Sequence, residues 1–331
     1  MSPMPTESRS ELAAGGDDIV LGFRTLRSNI MGRLVRMGAV ADEILTRHDY
    51  PAPVIEALGH AVVLATLLGA PLKEGARLIL QTKTDGPLRF LVVNYESPGQ
   101  LRGYASFDED RVLAMEKDGS ASQSLLLGSG MLAMTVDPGG DRDRYQGIVQ
   151  VAEESLADAA LTYFRQSEQL PTYLRLSVAR QYRQGPDGGG WHWRAGGLLV
   201  QHLSPLGGTP QPAPPPIAGA EDDELPMLGE DDDNWRRVSM LASTVEDHEL
   251  LDPTLSPDDL LWRLFNEEGV VRAVDPTPLA GYCRCSRDGV ATMLKAYAGG
   301  ELDDMREADG MVAVTCEFCN ATYRFTPGEI G

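Results

Sequence analysis

Apolar and polar positions alternate through residues 77–96 in two runs, RLILQTKT and LRFLVVNY, joined at Asp85-Gly86-Pro87. A turn signal between two strand-forming runs predicts a β-hairpin. Further strands are expected at 131–136, 145–151, 173–180 and 198–202. Between them the period lengthens, because Ser155 opens a pattern that places Leu156, Ala160, Tyr163 and Phe164 on one helical face. The most apolar run, 54–72, contains Glu56 and His60 and reads as a core helix rather than one that crosses a bilayer. Residues 19–204 therefore predict an α+β domain with a mainly antiparallel sheet and packed helices.

The pattern stops at Pro205, where PLGGTPQPAPPPIAGA leads into Glu221-Asp222-Asp223-Glu224 and Glu230-Asp231-Asp232-Asp233. Proline removes backbone donors and clustered carboxylates repel, so 205–233 is expected to be a flexible tract. Helical periodicity returns over 234–249 and again from Ser256, where Pro257, Asp258 and Asp259 supply a first-turn proline and an acidic first turn. The second helix carries Leu260, Leu261, Leu264 and Phe265 on its apolar face, with Trp262 beside them. Two short helices between a flexible tract and a small terminal module cannot bury such residues alone. Residues 234–281 are thus expected to be a metastable helical linker that borrows its burial from a neighbour.

Charge narrows the functional classes. Lysine and arginine number 29 against 49 aspartate and glutamate, a net charge of −20. Neither the basic surface nor the aromatic content that nucleic acid requires is present, so no nucleic-acid partner is expected. No membrane partner is expected either. Residues 1–18 mix Pro, Ser, Glu and Gly without a basic region ahead of an apolar one; they read as a disordered start in a cytoplasmic protein.

All the cysteines lie in 282–331, as Cys283-Arg284-Cys285 and, thirty residues on, Cys316-Glu317-Phe318-Cys319. Two thiolate pairs, each within a tight turn, supply the four-sulfur shell that zinc prefers. Cytosolic thiols are kept reduced, which disfavours a permanent disulfide framework. Four thiolates leave the site at −2, which Arg284 and Arg287 are placed to offset. Spacing alone leaves two readings open: a ribbon that staples a small module, and an oxidant sensor whose loss of metal unfolds its support.

The segment GYCRCSRDGVATMLKAYAGGELDDMREADGMVAVTCEFCNATYRF resembles the C-terminal zinc module of the heat shock protein 33 family, the 33 kDa chaperonins. His48-Asp49-Tyr50-Pro51, Arg144-Tyr145-Gln146-Gly147, Ala195-Gly196-Gly197 and Leu261-Trp262-Arg263-Leu264 extend the resemblance over about 18–330. It implies an ATP-independent holdase, inactive when reduced and carrying one Zn²⁺ per chain, and active when oxidants convert the thiolates to disulfides. Family precedent pairs Cys283 with Cys285 and Cys316 with Cys319. It also implies that the linker unfolds, that unfolded or partially folded client proteins bind, and that the active form is a homodimer. On this reading Trp235, Val238, Leu241, Leu261, Trp262 and Phe265 are candidate client-binding residues, exposed on oxidation. The tract 205–233 looks longer than the family usually carries.

Other chemistry finds little support. His48, His60, His192, His202 and His248 lack the paired spacing of a catalytic metal site, and Gly128-Ser129-Gly130 lacks the full nucleophile-elbow pattern. No enzymatic activity is expected. A constitutive zinc-stabilised interaction module without redox switching is the alternative. A thiol oxidoreductase using Cys316 and Cys319 is disfavoured by the lack of a βαβ context.

Overall fold

The computed structural model describes residues 16–140, 142–185, 188–202, 232–296 and 305–330. The start 1–15 and nearly all of the proline-rich, acidic tract lie outside the described residues. Strands β1 (Ile19–Thr25) and β2 (Met31–Met37) come first, followed by helices α1 (Ala39–Leu45) and α2 (Ala52–Gly69). The expected hairpin forms from β3 (Arg77–Thr84) and β4 (Leu88–Glu96), and β5 (Gln100–Phe107) pairs antiparallel with β4. After α3 (Glu109–Asp118) and α4 (Gln123–Leu127) come β6 (Ser129–Asp137), β7 (Tyr145–Ala152) and α5 (Leu156–Tyr163). The long pair β8 (Thr172–Gly185) and β9 (Gly188–Gln201) ends this part of the fold.

These strands sort into two sheets, in the orders β1-β2-β9-β8 and β5-β4-β3-β6-β7, before later strands join them. Helix α2 packs against both. It is long and apolar enough to cross a membrane, yet 72% of it is buried inside the fold. A helix walled by sheets on two sides has no face to leave polar, which is why its sequence is apolar nearly all round. Ser155 starts α5 as expected: its Oγ accepts from the Asp158 N–H at 3.2 Å while Asp158 accepts from the Ser155 N–H at 3.3 Å.

The sheet led by β1 and β2 has two buried faces. Val20 and Val35 point to α2, whereas their neighbours Leu21 and Leu34 point the other way, into a second apolar cluster. The linker roofs that cluster. Helices α6 (Asp233–Ser243), α7 (Asp247–Leu251) and α8 (Pro257–Phe265) lay Trp235, Val238, Leu250, Leu260, Leu261, Leu264 and Phe265 on Phe23, Ile30, Leu198 and Val200. Phe265 stacks on Phe23 with ring centroids 5.4 Å apart. Phe23 in turn lies across Gly32, its register partner on β2, where a Cβ would come within 2.1 Å of the ring. Only glycine leaves room for the stack.

The helix expected over 234–249 is two helices. Thr244 Oγ1 donates back to Leu241 O at 2.7 Å, a side-chain bond that competes with the helical ladder, and a new capping pair starts at Glu246, whose N–H donates to Glu249 Oε2 at 2.9 Å. The chain then adds β10 (Val270–Arg272) and β11 (Thr277–Pro278) along β1. It crosses to the other sheet as β12 (Ala280–Gly281), parallel to β5, the sole parallel pairing among the described strands.

Two fully buried arginines tie the linker down. Arg36 of β2 donates through Nη2 to Glu249 O at 3.0 Å and through Nη1 to Leu255 O, and Arg194 of β9 donates through Nε to Leu251 O at 2.6 Å. Asp17 takes both Arg194 Nη groups at 2.8 and 2.6 Å, and Asp18 accepts the N–H groups of Gly38 and Val40 at 2.8 and 3.0 Å. The sequence places both aspartates in a disordered start; the buried guanidinium and the free amides of α1 hold them instead.

The last unit comprises α9 (Arg287–Leu294), the hairpin β13 (Val312–Thr315) and β14 (Thr322–Phe325), and α10 (Pro327–Ile330). Its core is small: Leu294, Val312, Phe325 and Ile330.

Candidate metal centre

Each cysteine pair is placed by a short, well-bonded turn. Beyond β12 the Tyr282 N–H donates to Leu101 O at 2.8 Å, so Cys283 leaves the core sheet at a fixed point. Ser286 caps α9, its Oγ accepting from the Gly289 N–H at 3.1 Å, which sets Cys285 at the head of that helix. Cys316 and Cys319 sit in the turn between β13 and β14. There the Cys316 N–H donates to Ala321 O at 2.9 Å and the Asn320 N–H to Cys316 O at 2.8 Å, while Asn320 takes a φ of +58°. Asparagine tolerates that left-handed conformation better than most residues.

The four Sγ atoms lie within 4.8 Å of one another and all four residues are half-buried. Sulfurs of the two motifs meet, Cys283 to Cys316 at 3.7 Å and Cys285 to Cys319 at 3.2 Å. A tetrahedron with metal–sulfur bonds of about 2.3 Å has an edge of about 3.8 Å, so the cluster is sized to hold a tetrahedral ion. Tyr323 on β14 adds an outer contact, its hydroxyl donating to Cys285 Sγ at 3.3 Å. The cysteines expected to be ligands are thus brought together, and no histidine joins the cluster among the described residues.

Protonation points the same way. Burial pushes the Cys283 thiol up, but the Cys285 N–H and the surrounding sulfurs outweigh it and bring it down to about 7. Burial and the neighbouring sulfurs push Cys319 up to about 12, and burial raises Cys316. One thiolate forms readily and the next ones are opposed. Four sulfurs this close ionise together only around a cation.

The arginines expected to offset the thiolate charge are committed elsewhere. Arg284 pairs with Glu96 of β4. Arg287 donates to Arg324 O at 2.9 Å and Glu329 at 2.7 Å, and lies 4.5 Å over the Phe325 ring. They tie the module together and to the core rather than neutralising sulfur.

Contacts that spacing did not reveal dock the turn on the core. His48 Nε2 lies 2.7 Å from Glu317 O, Asn320 Nδ2 donates to Arg47 O at 3.1 Å, and the Arg102 guanidinium sits 4.1 Å from the centre of the Phe318 ring. An aromatic residue at the tip of a cysteine turn was the available signal. The other histidines stay away: His192 meets Asp42 at 2.7 Å, His202 meets Asp232 at 3.4 Å, His248 meets Glu246 at 3.1 Å and His60 meets Gln123 at 2.9 Å. Of the candidate client-binding residues, Trp235, Val238, Leu261 and Phe265 lie buried on the linker's inner face against the sheet and Leu241 is half-buried. Trp262 stands apart on the outer side of α8, 62% exposed.

A family profile described as Hsp33 protein matches residues 18–326. The 33 kDa chaperonin of Caulobacter vibrioides is 44% identical over 312 residues, covering 94% of this chain and 95% of the relative. That of Nitrosococcus oceani is 37% identical over 298 residues, 90% of this chain and 88% of the relative. The crystal structure of the 33 kDa chaperonin (heat shock protein 33 homolog) from Thermotoga maritima aligns with a TM-score of 0.67 at 24% identity, over 95% of this chain and 96% of that one. That likeness bears on the fold.

Proposed function

The chain belongs to the Hsp33 family of chaperones, and on that premise we propose that it is a cytoplasmic, ATP-independent holdase switched on by oxidation. Cys283, Cys285, Cys316 and Cys319 are the residues that would hold one Zn²⁺ in the reduced, inactive chain. Bound zinc would keep all four sulfurs ionised and cross-link two turns that a four-residue core cannot hold by itself. The carrying observation is the gathering of four sulfurs within 4.8 Å, just past a linker that roofs a large apolar surface.

The residues supply the rest of the switch. A cysteine thiolate attacks one peroxide oxygen, the O–O bond breaks, hydroxide leaves and a sulfenic acid forms. A second thiol attacks that sulfur, the S–O bond breaks, and water leaves with the thiol proton. Each disulfide thus takes two electrons from sulfur and reduces one peroxide. In the folded module sulfurs of different motifs touch, but once it loosens, closing a loop of one or two residues costs less entropy than closing one of thirty. That supports the pairs Cys283–Cys285 and Cys316–Cys319.

With those donors consumed, β12 and the docked turn lose their anchor and the linker is free to leave the outer face of the β1-β2-β9-β8 sheet. Trp235, Val238, Leu241, Leu261 and Phe265, with the sheet residues beneath them, become surface for unfolding clients, and Trp262 joins them from its outer position. Two such faces meeting would give the oxidised homodimer.

Zinc release and suppression of client aggregation, followed on one preparation before and after peroxide at a mildly denaturing temperature, test the reading. Loss of about one zinc per chain as client protection appears is the expected result. Zinc that stays bound, or leaves without any gain in protection, makes the module a structural staple and overturns the switch.

A further inference from the structure

The turn that carries Cys316 and Cys319 covers a preformed surface of the core. His48, Tyr50, Tyr104 and Phe107 form a connected aromatic patch: His48 to Tyr50 at 5.0 Å, His48 to Tyr104 at 5.7 Å and Tyr50 to Phe107 at 5.8 Å between ring centroids. Phe318 reaches over its edge, 6.4 Å from Tyr104 and 4.1 Å beneath the Arg102 guanidinium. Its neighbour Glu317 presents its carbonyl to His48, and Asn320 holds the Arg47 carbonyl.

The cationic wall does not depend on the turn. With its amide oxygen facing β5, Asn94 accepts from Arg102 Nε at 3.0 Å and Nη2 at 2.8 Å, and the two residues are register partners on β4 and β5. Tyr50 is a second fixed point, its hydroxyl accepting the Ala105 N–H at 3.1 Å. The core therefore keeps an aromatic floor and a flat guanidinium whether or not Phe318 is there. A cation over an aromatic ring is a recognition device in its own right.

We propose that this patch is a second client-binding surface, occupied in the resting chain by its own Glu317-Phe318 and vacated when the cysteine turn comes apart. The partner it fits is an unfolded segment that presents an aromatic side chain, the chemistry of the Phe318 that fills it here. The ring goes under Arg102 against Tyr104, where Phe318 lies now. The inference rests on the holdase reading and adds a site remote from the linker-covered face.

The test sets two variants of the full chain against each other. Phe318→Ala removes the internal occupant, and Arg102→Ala with Tyr104→Ala removes the site. If the contact were only a clasp holding the module down, both changes would loosen it and both would raise chaperone activity. If the patch binds clients, they act in opposite directions. The metal-loaded, reduced Phe318→Ala chain should gain aggregation suppression while its zinc content, read with a chromogenic chelator, stays at wild-type level. The fully oxidised Arg102→Ala/Tyr104→Ala chain should lose severalfold in protection of aromatic-rich clients relative to oxidised wild type. Arg102→Lys, which keeps charge but not the flat stacking surface, should fall between and guards against misfolding of the double variant. Equal protection by oxidised wild type and double variant overturns the proposal. No protection by oxidised wild type itself would instead defeat the holdase reading.

Discussion

At the scale of single residues, burial decides chemistry that identity leaves open. His60 sits on α2 in the interior, its Nδ1 accepting from Gln123 Nε2 at 2.9 Å, while Gln123 Oε1 accepts the Leu156 N–H at 3.1 Å. Burial pushes its pKa from 6.5 down to about 4, against a weak opposing pull from Asp247. Between those values the unfolded chain takes up a proton that the folded chain refuses, so this contribution is complete above pH 6.5 and is lost as pH falls toward 4. The change amounts to about 3 kcal/mol. Urea midpoints of wild type and His60→Gln, taken on both sides of that window, should show the variant losing less stability on acidification; parallel losses would refute the assignment. Tyr323 acts at the metal cluster by a different route. Its hydroxyl bond to Cys285 steadies a sulfur, so Tyr323→Phe should keep its metal yet release it to a chelator severalfold faster. Unchanged release kinetics would make that contact incidental.

At the scale of elements, the linker is a roof whose stability is lent by the sheet below. Phe265 is fully buried and stacked on Phe23, and truncating such a ring typically costs about 3–5 kcal/mol. Because α6, α7 and α8 touch the remainder mainly through one face, the loss in Phe265→Ala should fall on them. Hydrogen exchange should speed up over residues 233–268 and stay slow in α2. A uniform rise across both would mean that linker and core unfold as one unit. The arginines add a polar cost to release. Release of the linker would cost Arg36 and Arg194 their bonds to Glu249, Leu255 and Leu251, and Arg36 Nε has no partner as it stands. Burying guanidiniums against carbonyls with a single carboxylate, Asp17, bonded to the pair is a costly way to hold a helix.

At the scale of the molecule, three parts lean on one another in sequence: the two-sheet core, the linker across its outer face, and the cysteine module docked at the β5 edge. Removing the metal from the reduced chain with a strong chelator should therefore loosen 282–330 first. Protection of that stretch should collapse, while the core's thermal transition moves by only a few degrees. A single concerted transition moving with metal content would show instead that the core depends on the module directly.

Much of this was legible in advance. The β3–β4 hairpin, the capped starts of α5 and α8 and the core character of α2 follow from local rules of period, turn and cap that need no partner. The gathering of the four cysteines followed from spacing, because two short thiol motifs admit few other arrangements. The break after Ser243 was hidden because side-chain bonds and a weak cap compete on nearly equal terms with a continuous helix. The fates of Arg284 and Arg287 were hidden too, since nearness in sequence to a cysteine does not show which carboxylate a guanidinium meets in space. What the sequence determined by itself was the hairpin, the capped helix starts, the core character of α2, the four sulfurs and the family. Tertiary structure alone decided that the linker covers the far face of the β1-β2-β9-β8 sheet and that Phe318 docks beneath Arg102. Both depend on surfaces assembled from strands distant in the chain, and no local pattern encodes which of those surfaces is left open to be covered.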